Sequence, residues 1–252
     1  MKKIIGAIIL LCACSSSALS EELIVAAAAN VQFVLEELKA SFEKSHPGIE
    51  IKTVIGSSGR LTVQIENGAP FDIFLSADMD YPQTLYKEGL AVNEPKVYVY
   101  GTLVLWTIRD LNLSKWTEMI ADPSIKKIAI ASPKTAPYGR QTVNALKHYN
   151  LYMKVNKKFV YGESIAQTNQ FISTGASDMG FTAKSVVLAE NMKDKGKWIE
   201  LDRDSYQPIA QGAVILKYAK DHDHLTAAQK FYEFIFSKEA NNIYEKYGYI
   251  LP

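Results

Sequence analysis

The chain has 252 residues, 48% of them hydrophobic and 22% charged, with a formal net charge of +1. That length buries a substantial core, as one large domain or two modest ones. The charges are interspersed, so the basic footprint that a nucleic-acid partner requires is missing.

In chain order, Lys2 and Lys3 come first, then an apolar run from Ile4 to Ala13, then Cys14 and the small, polar stretch Ser15 to Ser20. A basic end, a short apolar core and small residues after it read as an export signal over residues 1–20. The apolar run is too short to cross a bilayer as a stable helix. Two processing routes fit: lipid modification of Cys14, since Leu11-Cys12-Ala13-Cys14 resembles a lipoprotein cleavage box, and cleavage after Ser20, using Ala18 and Ser20. Both cysteines lie in this segment, so the body has no disulfide, thiolate nucleophile or Cys-ligated metal. Without Lys2 and Lys3 the mature chain carries 26 basic against 27 acidic residues. The expected location is the periplasm or cell envelope of a bacterium.

Leu23 to Ala26 is a short strand that runs into small residues and Asn30. From Val31 the period changes. Val31, Val34, Leu35, Leu38 and Phe42 mark one face of an amphipathic helix that ends before His46-Pro47-Gly48. Ile49 to Ile55 is a second strand, Gly56-Ser57-Ser58-Gly59 a turn, and Leu61 and Ile65 belong to a short helix ended by Asn67-Gly68-Ala69-Pro70. Phe71 to Leu75 is a third strand, and a helix stopping at Gly89 follows Ser76-Ala77-Asp78. This alternation is the rhythm of a mostly parallel sheet covered on both faces.

Val97 to Ile108, interrupted by Gly101, predicts a strand that crosses into a second lobe. There the expected elements are a strand at Ile125 to Ala131, a helix from about Arg140 to Tyr149, a strand at Lys158 to Tyr161 and a helix at Ile165 to Ser173. A strand at Met179 to Thr182 meets a helical stretch from Ala183 to Glu190. Ser205 to Gly212 returns the chain to the first lobe, where a strand at Ala213 to Leu216 and helices at Leu225 to Phe236 and Lys238 to Tyr247 complete it. The expectation is an α/β, two-lobed molecule with a double crossover. Residues 21–99 and 208–252 form lobe 1, residues 100–207 form lobe 2, and a ligand cleft lies between them.

One event recurs: an apolar strand ends, small or hydroxylic residues follow, and a helix begins. It happens at Ala29-Asn30, Ser57-Ser58-Gly59, Pro137-Tyr138-Gly139 and Glu163-Ser164-Ile165. First-turn amides have no intrahelical acceptor and the helix start is electropositive. Such starts facing one another across a cleft would surround a compact oxyanion with neutral donors. Most strand-to-helix turns in α/β proteins share this look, and Asn and Ser are ordinary capping types.

Three segments carry a resemblance. They are Ile24 to Asn30; Gly56 to Gly59 with Leu61 and Gln64-Ile65; and Gly68-Ala69-Pro70-Phe71-Asp72-Ile73-Phe74-Leu75-Ser76-Ala77-Asp78. Together they resemble successive signatures of the periplasmic molybdate-binding proteins, and Ala240 to Tyr249 is similar to that family's closing helix. The resemblance implies a periplasmic binding protein fold, capture of molybdate or tungstate, and delivery to the membrane permease of an ABC importer. It implies neither a cofactor nor a free metal cation, and the protein is expected to be a monomer. Carried over residue by residue, the contacts come from Asn30 and Ser58 in one lobe and from the backbone at Tyr138 and Ile165 in the other. Ser57, Gly59, Arg60, Arg140, Ser164, Thr182 and Ser185 are further candidates. This chain departs from the family at three positions: Asn30 stands where a serine is usual, Tyr138 where a small residue is usual, and Ala183 where a tyrosine donates its hydroxyl. If only its backbone binds, the Tyr138 ring must point out of the pocket. Thr182 and Ser185 are the hydroxyls closest in sequence to the one missing at Ala183.

A direct Arg60 or Arg140 contact would favour sulfate, phosphate or a small carboxylate, which guanidinium pairs well with. Lys134 reads as a solvated charge. An envelope enzyme on the same scaffold, a dehydratase or lyase of small acids, would need Asp72, Asp78 or Glu163 aimed into the cleft. Asp72, Asp78 and Asp80 lack a further oxygen cluster for a cation, and structural turn and cap bonds account for them. His46, His148, His222 and His224 sit in turns or on polar faces, and Ser58 has no histidine partner, so hydrolase chemistry is unsupported. Trp106, Trp116 and Phe181 are expected in the packing of the lobes.

Overall fold

In the computed structural model, which describes residues 20–252, the first half of the chain forms β1 (Glu21–Ala28), α1 (Gln32–Ser45), β2 (Ile49–Gly56), α2 (Ser58–Glu66), β3 (Ile73–Leu75), α3 (Asp80–Lys87), β4 (Lys96–Gly101) and β5 (Leu103–Thr107). Then come α4 (Trp116–Met119), β6 (Ile128–Ala131), α5 (Pro137–His148), α6 (Tyr152–Val155), β7 (Phe159–Gly162), α7 (Ile165–Ser173), β8 (Met179–Ala183), α8 (Lys184–Val187) and β9 (Lys197–Glu200). The chain closes with β10 (Ile209–Ile215), α9 (Lys217–Asp221), α10 (Leu225–Phe234) and α11 (Lys238–Lys246). The export-signal reading and Cys14 lie outside the described residues.

These strands form two five-stranded sheets of matching plan, ordered β2-β1-β3-β10-β4 and β7-β6-β8-β5-β9. In the first, β1 pairs parallel with β2 and β3, while β10 runs antiparallel between β3 and β4. In the second, β6 pairs parallel with β7 and β8, while β5 runs antiparallel between β8 and β9. Each sheet is therefore mixed, with a single reversed strand among otherwise codirectional ones.

β1 shows why its sequence is apolar on both faces. Leu23, Val25 and Ala27 pack into a core with α1, α10 and α11, including Phe42, Phe231 and Tyr244. Ala26 faces the other way, to Leu61, Ile65 and Leu85 of α2 and α3. Covering both faces is what parallel strands require. The second sheet has its own core around Leu105, Ile130, Phe181 and Trp106, whose indole N–H donates to the Lys195 carbonyl at 2.6 Å.

The apolar run expected as one crossing strand is broken at Thr102 into β4 and β5, which belong to different sheets. Its length is explained by service in two cores. β9 is an element that the sequence reading lacks: Lys-Trp-Ile-Glu is too short and too polar to announce an edge strand. The third strand begins at Ile73 rather than Phe71, because Asp72 is tied to Ile24 through its backbone N–H (2.8 Å) and its carboxylate, which accepts from Ile24 N–H at 2.7 Å. Asp72 also meets His224 at 2.9 Å, so both residues have structural work at the far end of β3 from the cleft.

Candidate functional site

The recurring strand-to-helix junctions meet. Asn30 at the end of β1, Ser58 at the start of α2, Tyr138 in the first turn of α5 and Ile165 at the start of α7 all line one cavity between the sheets. Its empty volume, including the open space at its mouth, is about 190 Å³. No lining side chain is charged. Among the described residues, the backbone N–H groups of Asn30, Ser58, Tyr138 and Ile165 are committed to no protein acceptor. These are first-turn amides, and the helix or 3-10 start behind each adds partial positive charge.

Two hydroxyls add to them. Ser58 Oγ accepts the Ala77 N–H at 2.9 Å, so its own proton is available to a ligand. Ser57 Oγ is buried against the cavity without a partner. Glycine is needed at the second-lobe junction, because a Cβ on Gly139 would come within 2.1 Å of the Ala131 carbonyl oxygen. The first turn of α5 thus packs directly onto the end of β6.

Asn30 is held from behind. Its Nδ2 donates to Gln211 Oε1 (2.8 Å) and to Tyr249 Oη (3.1 Å), while its carbonyl accepts from Ser185 Oγ (2.8 Å) and Tyr249 Oη (2.9 Å). Asn30 Oδ1 is buried and has no partner.

The Tyr138 ring is buried, 1% exposed, against the crossover at Gly101. There its hydroxyl accepts from Gln211 Nε2 at 3.2 Å, and a Cβ on Gly101 would sit 2.0 Å from that oxygen. Burial pushes the hydroxyls of Tyr98, Tyr138 and Tyr249 well above the ordinary phenol range, so all three stay protonated and neutral.

Of the further candidates, Ser57 lines the cavity; Gly59, Arg60, Arg140, Thr182 and Ser185 bond elsewhere, and Ser164 stands outside the lining at the N-cap of α7. The Gly59 N–H donates to the Thr135 carbonyl across the cleft at 2.9 Å. Arg60 pairs with Glu163 at 2.7 Å, and Arg140 pairs with Asp78 and donates to Tyr81 Oη at 3.3 Å. The carbonyl of Ser164 accepts from Thr168 within α7, Thr182 donates to Asn169 Oδ1, and Ser185 donates to the Asn30 carbonyl. Neither Thr182 nor Ser185 is among the residues that line the cavity. No carboxylate reaches the cavity, since Asp78 and Glu163 are both turned to arginines and Asp72 to His224. Among the described residues no group of three or more His, Cys, Asp or Glu side chains is placed to hold a metal ion.

Gln211 and Tyr249 are the residues that sequence reasoning missed. Gln211 had a readable signal: one fully buried amide inside the otherwise apolar strand Ile-Ala-Gln-Gly-Ala-Val-Ile. Tyr249 had none beyond its place in the closing segment.

Paired α/β lobes around a small neutral cavity lined with donors are the arrangement of a receptor that binds a solute. Comparison with known proteins agrees. The chain belongs to the bacterial extracellular solute-binding proteins, whose family model matches residues 23–250. It is 36% identical over 246 residues to the molybdate-binding protein ModA of Azotobacter vinelandii, covering 97% of this chain and 94% of that one. It is 35% identical over 230 residues to ModA of Rhodobacter capsulatus, covering 91% and 88%. The solved structure of the Azotobacter vinelandii periplasmic molybdate-binding protein superposes with a TM-score of 0.85 at 32% identity, covering 91% of this chain and 99% of that one.

Proposed function

We propose that this protein captures molybdate or tungstate outside the cytoplasm and delivers it to the membrane permease of an ABC importer. The observation that carries the reading is the cavity itself, where uncommitted backbone amides at Asn30, Ser58, Tyr138 and Ile165 converge from both lobes with no charged side chain among them. Neutral donors suit a dianion that carries no proton of its own, and donors from two lobes bind it fully only when the lobes meet. The similarity to the two ModA proteins supports the choice of anion.

Sulfate has the same charge but shorter bonds, so donors at fixed positions separate it from molybdate by size. Phosphate keeps a proton near neutral pH, and that proton requires an acceptor. The mature protein acts as a monomer in the periplasm or at the envelope surface, after either lipidation at Cys14 or cleavage after Ser20. Mass spectrometry of the exported protein separates these routes. Calorimetric titration with molybdate, tungstate, sulfate and phosphate tests the anion. Tight binding of the first two and weak or no binding of the others is expected. Sulfate binding as tight as molybdate would refute the assignment.

A further inference from the structure

Asn30 lines the anion cavity, yet both hydrogens of its side-chain amide are directed away from it, to Gln211 Oε1 and Tyr249 Oη. The atom left for the cavity is Oδ1, a buried acceptor with no partner. An acceptor there opposes a bare dianion and suits an oxyanion that brings a proton.

What holds the amide this way is Gln211. It is fully buried, and its Oε1 accepts from Asn30 Nδ2 at 2.8 Å and from Tyr98 Oη at 3.0 Å, while its Nε2 donates to Tyr138 Oη at 3.2 Å. In this arrangement the Tyr138 hydroxyl proton has no acceptor among the described residues, because that oxygen appears in side-chain bonds only as an acceptor. A side-chain amide has the same shape when its O and N exchange places. If both amides turn together, Gln211 Nε2 donates to Asn30 Oδ1 and to Tyr98, Tyr138 donates to Gln211 Oε1, and Tyr98 donates to the Ser76 carbonyl, which already lies 3.5 Å from its hydroxyl. Tyr249, 3.1 Å from the turned amide, then gives its proton to Asn30 Oδ1, while Ser185 still serves the Asn30 carbonyl. Asn30 then presents its NH₂ to the cavity. The unpartnered acceptor and the unpartnered phenol proton both disappear, and the amide hydrogens now facing the cavity are satisfied by an anion.

We propose that Gln211 is a specificity-determining positioning residue. The orientation of its amide sets whether Asn30 offers the cavity a donor or an acceptor, and so whether a fully deprotonated oxyanion or a proton-bearing one is preferred. Because Gln211 also bonds Tyr138, which sits on the other lobe, the same turn passes from the anion to the contact between lobes. The inference rests on the oxyanion reading of the cavity.

The test compares wild type, Gln211→Glu and Gln211→Met by calorimetric titration with molybdate and with hydrogen phosphate, and thermal melting confirms that each variant folds. In Gln211→Glu an ionised carboxylate only accepts, so it holds the Asn30 NH₂ toward itself and leaves Oδ1 on the cavity. The ratio of molybdate to hydrogen-phosphate affinity is expected to fall about 10-fold or more. In Gln211→Met the thioether fills similar space without an amide, and the same ratio is expected to fall about 3-fold or more. This variant carries the test if Gln211→Glu does not fold. A ratio unchanged from wild type in the folded variants, with both affinities falling equally or not at all, would overturn the proposal and leave Gln211 a packing residue. Wild type that binds neither anion would instead sink the oxyanion reading on which the inference stands.

Discussion

Ser58 has two hydrogen-bonding functions at one atom. Its oxygen accepts from Ala77 N–H and its proton serves the cavity. Ser58→Ala is therefore expected to weaken molybdate binding by about 1.5–3 kcal/mol, the range for a hydrogen bond to a charged group. It should also lower stability by about 1 kcal/mol, because the Ala77 amide loses its partner. Titration calorimetry and a denaturant melt read the two effects separately, and unchanged affinity would remove Ser58 from the site. Ser57→Ala is expected to be gentler on folding, since Ser57 Oγ bonds nothing in the protein. At this scale the sequence was informative about residue type and silent about direction. Asn30 and Tyr138 could be named as cavity residues, but that Asn30 would face Gln211, 181 residues away, depends on a strand whose neighbours are set by the whole sheet.

The elements are organised so that helix starts, rather than side-chain charges, create the binding potential. This places a strict demand on how closely each helix approaches its strand. Gly139 meets the end of β6 through its backbone, where the Ala131 carbonyl cannot swing aside. Gly139→Ala is expected to cost about 1–3 kcal/mol in stability, as overpacking does, and to weaken anion binding by displacing the first turn of α5. A denaturant midpoint and affinity equal to wild type would show that α5 has slack which the packing does not suggest. Gly101 imposes the same kind of limit at the crossover, where only a missing side chain leaves room for the Tyr138 hydroxyl and the Gln211 amide. The helix and strand periods in the sequence anticipate most elements, because they arise from local alternation of buried and exposed positions. The interruption expected at Gly101 makes two strands of one, parted at Thr102, because the two sides are buried in different cores.

Among the described residues Asp78 pairs with Arg140 and Arg60 with Glu163 across the cleft outside the cavity, and Arg140 also stands 4.0 Å from Asp80. Both pairs join the first-sheet lobe to the second, so they favour contact between lobes without touching the ligand. Burial raises the Asp78 carboxyl above its usual value, and Arg140 opposes that rise. Arg140→Ala would leave a largely buried carboxylate unpaired. It is expected to weaken anion affinity by about 1–2 kcal/mol through the lobe-closing equilibrium, with a larger radius of gyration in X-ray scattering before anion is added. An unchanged radius and affinity would show that the pair contributes nothing to closure. The buried phenols predict the alkaline limit. Tyr98, Tyr138, Tyr244 and Tyr249 have hydroxyls raised above their ordinary value of 10.0 by burial, whereas the unfolded chain ionises them near that value. The folded state thus holds more protons above that pH, so the stability is fully present below it and is lost as pH rises beyond it. The expected slope is about 1.4 kcal/mol per pH unit for each such phenol, read from denaturant melts between neutral and strongly alkaline pH. A flat profile would mean these hydroxyls reach solvent.

What the sequence by itself determined is the alternating α/β architecture, the return of the chain to its first lobe and the strand-to-helix junctions at Asn30, Ser58, Tyr138 and Ile165. Each of these follows from short-range periodicity and from residue types that suit a helix start. Tertiary structure alone decided that those junctions meet on one cavity, that Arg60 and Arg140 are taken up by Glu163 and Asp78, and that Gln211 stands behind Asn30. The reason is geometric. A hydrogen bond's partner is chosen by distance and angle after packing, and residues far apart in the chain acquire both only when the sheets have formed.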